Sequence, residues 1–172
     1  MLGLTPLGAV HTLISLVALA AGVIALIRLR EIPASHPLGR LYIWATVLSC
    51  LTGFGIFQHG GFGKPHALGV LTLLVLALAA LAGRKRIFGS ASRYVETIAL
   101  STTLFFHTIP GLTETFTRVP VGGPLFSGPD DPLLQKVVGV FFLLLVAGCV
   151  LQVRRLRAGR RIWQPEGTGQ AL

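Results

Sequence analysis

Residues 4–30 read LTPLGAVHTLISLVALAAGVIALIRLR, an apolar run closed by Arg28 and Arg30. A helix rises about 1.5 Å per residue, so Leu4 to Ile27 is long enough to cross about 30 Å of hydrocarbon. No basic residue precedes the run and no small-x-small cleavage site follows it, and the arginines end it as a stop-transfer segment would. The expectation is a retained helix and not a cleaved signal.

The whole chain supports that reading. Of its 172 residues, 52% are hydrophobic and 12% charged, with 21 glycines, and the mean hydropathy is +0.74. Polar residues are too few to cover the surface of a soluble domain. Four further apolar runs lie at roughly Leu41–Phe57, Ala67–Ala82, Tyr94–Ile109 and Leu133–Val153. The expected fold is therefore all-α: an integral membrane five-helix bundle over residues 1–153, followed by a basic tail over 154–172.

Charge sets the expected orientation. The formal net charge of +9 would suggest nucleic acid in a soluble chain, but here the cations sit at the ends of apolar runs and no nucleic-acid partner is expected. Of fifteen Lys and Arg residues, only Lys64, Arg118 and Lys136 fall outside three clusters, at 28–40, at 84–93 and at 154–161. The positive-inside rule puts those clusters in the cytoplasm and the N-terminus outside, in a bacterial inner membrane. The basic ends also suit anionic lipid headgroups. Cys50 and Cys149 lie in separate apolar runs and do not suggest a disulfide framework.

Gly60, Gly61, Gly63 and Pro65 mark a tight outer turn between the second and third helices. Pro110 to Pro132 carries too many prolines and glycines for a continuous helix and is expected to form a loop over the bundle mouth. Asp130 and Asp131 are read as a solvated turn capping the fifth helix. Glu96 is expected to pair with Arg93 or Arg84.

With this topology, His11, His59, His66 and His107 share the outer leaflet, and His36 stands alone in an inner loop. Residues three, four, seven or eleven apart share a helix face. That periodicity gives His11, Ser15, Ala18 and Gly22 on the first helix and Thr46, Ser49 and Gly53 on the second. It gives His66, Gly69 and Thr72 on the third, and Glu96, Thr103 and His107 on the fourth. Small and polar stripes face other helices, so the four outer histidines are expected to converge.

Converging imidazoles suit three kinds of chemistry. One is haem b, with His66 and His107 as the axial pair and His11 and His59 as further ligands. Gly53, Gly55 and Gly69 would make room for the macrocycle, Lys64 or Arg118 would meet its propionates, and a quinone or redox protein would be the electron-transfer partner. The second is a zinc or copper site built from His11, His59, His66, His107 and Glu114. The third is a proton or solute path along Glu96 and His107. A chain with none of these chemistries would be an accessory membrane subunit, surrounded by lipid bilayer and open to homo-oligomer formation. Hydrolase and nucleotide-binding motifs are missing from the sequence.

At SHPLGRLYIW, residues 35–44, the chain resembles a family of small bacterial multi-helix membrane proteins of unknown function. Their second helix opens with His-x-x-Gly-Arg-x-aromatic. A histidine near the start of the first helix (His11) and the opening PHALGVLTL of the third, with His66 and Thr72-Leu73, are similar too. The resemblance covers roughly residues 8–80. It implies the same helical architecture and marks His11, His36, Gly39, Arg40 and His66 as family-type positions.

Overall fold

The structure, a computed structural model, describes residues 5–57, 61–85, 87–117 and 122–162. Within them lie five α-helices and no strand: α1 (Pro6–Leu29), α2 (Pro37–Gly53), α3 (Lys64–Lys85), α4 (Ser92–Phe116) and α5 (Pro132–Ile162). A single 3-10 turn, Gly89–Ala91, leads into α4. Three of the helices are long and apolar enough to cross a membrane, over Pro6–Leu29, Lys64–Arg84 and Pro132–Gly159.

Local chemistry fixes the ends. Thr5 caps α1 by accepting from Gly8 N, with Pro6 in the first turn, where its missing N–H costs nothing. The helix stops at Arg30, whose φ of 61° and ψ of 12° form a left-handed C-cap returning its N–H to Leu26 O. Next, His36 caps α2: its Nδ1 accepts from Leu38 N at 3.2 Å. Pro37 follows at the first helical position. This cap starts α2 four residues before the apolar run, and the turn at residues 54–56 ends it before Phe57, so the expected span 41–57 is displaced toward the N-terminus. A Cβ at Gly39 would collide with the Pro33 carbonyl, so only glycine permits this close return of the chain.

The second correction concerns α4, which runs through Pro110 to Phe116 where a loop was expected. Proline removes one i→i−4 bond, but the residues after it keep theirs. Thr113 and Thr117 add hydroxyl bonds to the helix carbonyls of Ile109 and Thr113. Residues 118–121, including Arg118, lie outside the described part. Similarly, α5 extends past its apolar run into the arginine-rich segment as far as Ile162. The rest of the expected tail is outside the described residues.

Helices α1 to α4 form a ring in which each packs on the next and α4 closes onto α1; α5 lies outside it, against α4. Small residues make close approach possible. Ala18, Ala21 and Ala25 of α1, Ala45 of α2, Ala79 of α3 and Ala99 of α4 surround Tyr42, Leu100 and Leu104 in one core. Gly22 receives both Tyr42 and Leu104, which an added Cβ would meet at 2.9 and 2.7 Å. By contrast α5 leaves Val140, Phe142, Leu143, Leu144, Val150 and Leu151 exposed. Cys50 and Cys149 are both free thiols.

At the arginine-rich end, Gln152 ties α5 to its neighbours. It accepts from Ser101 Oγ at 3.0 Å and donates to Arg30 O at 3.2 Å, while Arg155 donates to Leu29 O at 2.7 Å. Arg93 pairs with Glu31 at 3.5 Å and is also within electrostatic reach of Glu96, for which it is one of the expected partners. The Glu96 carboxyl rests in the space left by Gly83 on α3.

Candidate functional site

One face of α2 carries Tyr42, Thr46, Ser49 and Thr52, each about one turn from the next, and this face is where α1 and α4 dock polar side chains. On the α1 side, His11 Nδ1 lies 3.0 Å from Ser49 O and 3.1 Å from Thr52 Oγ1. A backbone carbonyl only accepts, so Nδ1 bears the proton and Nε2 keeps the lone pair. Thr52 sends its own hydrogen back to Leu48 O. One turn deeper, Ser15 donates to His11 O, so Ser49 is the donor in the 2.6 Å bond joining the two serine hydroxyls.

On the α4 side the directions also follow from the terminal acceptor. Thr103 donates to Leu100 O at 2.8 Å, so the Tyr42 hydroxyl, 2.7 Å away, donates to Thr103. His107 Nε2 lies 3.1 Å from Thr46 Oγ1, the direction of that bond being set by the ring tautomer. The imidazole of His107 also stands edge-on to the Tyr42 ring at 6.2 Å. The Tyr42–Thr103 and His107–Thr46 contacts fasten α4 to α2.

His11 and His107 are thus pinned from the same face of α2, are both half-buried, and interact electrostatically with each other. Glu114 is also within electrostatic reach of His11.

His66 stands apart. Gly63 N donates to its Nδ1 at 3.3 Å, and its ring is stacked on Phe57 at 5.1 Å and tilted against Phe62 at 5.2 Å. Since Nδ1 accepts, the proton is on Nε2. That atom is buried without a hydrogen-bond partner among the described residues.

The expected four-histidine convergence is therefore only partly seen. His59 lies outside the described residues. Among those described, no group of three or more His, Cys, Asp or Glu stands close enough to hold a metal ion, so His11, His66, His107 and Glu114 do not form one cluster.

The described groups expected to hold haem b have other contacts in this structure. Ligation through His66 Nε2 would force a proton onto Nδ1, opposite the Gly63 N–H, so that two donors would face each other. The glycine faces proposed for the macrocycle are already filled: Gly53 by the His11 ring, Gly55 by Leu7 and Gly69 by Phe54. Lys64, assigned to a propionate, is paired with Asp130 at 2.8 Å.

Two contributors escaped the sequence reading. Tyr42 sits one turn before Thr46 on the stripe already recognised, so its spacing was a usable signal. Gln152 is a lone amide in an apolar run, which also marks a polar contact between helices. Compared with family models, curated proteins and solved structures, the chain matches none.

Proposed function

We propose that this chain is a multi-pass protein of the bacterial inner membrane with five spans, N-terminus outside and C-terminus cytoplasmic, whose His11 and His107 take up zinc or copper beneath the outer face. The observation that carries the metal reading is how the two rings are held. Each imidazole engages an oxygen of α2 through one ring nitrogen, the arrangement by which outer partners orient metal-ligating histidines. Two protein nitrogens leave the remaining positions of a four-coordinate ion to water or an incoming ligand. The orientation rests on the three arginine clusters and on α1, α3 and α5 having the length and polarity of spanning helices.

Metal content by elemental analysis, measured on protein extracted from membranes without chelator, tests the assignment. Stoichiometric zinc or copper that disappears in a His11→Ala, His107→Ala double variant supports it. A metal-free parent, or a double variant that retains the metal, overturns it and leaves the accessory-subunit reading, in which the seam serves only to hold helices together. Reporter fusions at the C-terminus test the orientation separately.

A further inference from the structure

Beyond the metal reading, and independent of it, the opening of α3 presents a buried hydrogen-bond donor. His66 is 7% exposed, and its Nε2 has no hydrogen-bond partner among the described residues. Buried polar groups are otherwise paired in folded proteins, so an isolated one calls for an acceptor from elsewhere.

The surroundings restrict what that acceptor is. Because Gly63 N donates to Nδ1, Nε2 is an N–H and excludes a metal ion or another donor. Phe57 and Phe62 cover the ring and are themselves exposed. A strongly hydrated anion is poorly matched to two phenyl rings, whereas a weakly hydrated carbonyl oxygen carried on an apolar body matches both the rings and the N–H. His66 lies in the first turn of α3 beside Lys64, whose ammonium is paired with Asp130.

We infer that His66 Nε2, framed by Phe57 and Phe62, is a binding site for the carbonyl oxygen of a membrane-dissolved amphiphile, such as a phospholipid ester or a quinone. Exposed aromatic side chains at the end of a spanning helix are placed at the depth where such carbonyls lie. Phe57 and Phe62 are 57% and 70% exposed, and admitting the oxygen requires one of these rings to move outward.

The test uses full-length protein, with ring nitrogens of histidine isotopically labelled, reconstituted in two sets of vesicles. One set contains phospholipid labelled at the ester carbonyl. The other contains unlabelled phospholipid plus a carbonyl-labelled benzoquinone with an alkyl tail. Solid-state magnetic resonance then reads the tautomer of His66 and any through-space contact from Nε2 to the labelled carbon. A contact in the first set identifies the lipid ester, and one in the second identifies the quinone; either supports the proposal if it disappears in His66→Phe while Phe57→Leu, which keeps the histidine, weakens it. Absence of contact in both sets, or an unprotonated Nε2, overturns it. Circular dichroism of each variant verifies that the fold persists, and the metal content assigned to His11 and His107 is unchanged in His66→Phe.

Discussion

The Tyr42 hydroxyl on α2 donates to Thr103 Oγ1 on α4 across 2.7 Å, and neither residue exposes any surface. One turn along α2, Thr46 meets His107 of α4 at 3.1 Å, so the same face of α2 holds α4 at two levels although the two helices are not sequence neighbours. Tyr42→Phe is expected to cost about 1–2 kcal/mol, through the lost interhelical bond and a buried Thr103 hydroxyl oxygen left without its donor. Thermal unfolding in detergent measures the loss, and a Tm equal to that of the parent contradicts the assigned bond.

Gly39 is the position least able to accept a side chain. The Pro33 carbonyl carbon would stand 2.7 Å from a new Cβ, with its oxygen closer still, and both are backbone atoms. Gly39→Ala should destabilise by about 3 kcal/mol or more, because the turn joining α1 and α2 has to open. Expression level and Tm report the effect; a neutral result means the turn is looser than described.

Arg30 offers the opposite case. Its φ of 61° is left-handed, a conformation costing a side-chain-bearing residue about 1 kcal/mol relative to glycine. The carbonyl that Gln152 binds is retained in Arg30→Gly, so that variant should be more stable by about this amount. A fall in Tm would show that the arginine side chain contributes more than its backbone costs.

Asp131 supplies a pH dependence outside the spanning segments. Its carboxylate accepts from Ser127 N at 2.8 Å, from Leu133 N at 2.8 Å and from Ser127 Oγ at 2.9 Å, and these donors, Ser127 N foremost, hold its pKa below the ordinary value of 3.8. A depressed carboxyl stabilises the fold fully above its unfolded value and loses that contribution as pH falls through the lower folded value. Hydrogen exchange at residues 127–134 should therefore quicken below about pH 3.8. Asp131→Asn should remove that dependence, whereas an identical acid response in the variant assigns it to another group.

Much of this architecture was legible along the chain. The apolar runs located all five helices, the spacing of His11 and Ser15 or of Thr103 and His107 identified the faces that meet α2, and Asp131 was readable as a cap. The displaced start of α2 and the passage of α4 through Pro110 were not, because hydropathy does not register a histidine cap or a proline whose neighbours keep their bonds. The pairing of Arg93 with Glu31 was hidden too, since it depends on where the α1–α2 loop comes to rest.

Sequence alone determined that the described chain is helical and that three of its helices suit a bilayer, because length and hydrophobicity are sums over neighbouring residues. Tertiary structure decided what each histidine does: His11 and His107 share the face of α2 with opposite ring nitrogens engaged, while His66 is enclosed by two phenyl rings away from them. A hydrogen bond depends on the rotation and approach of whole helices to within a few tenths of an ångström, and no local spacing encodes that.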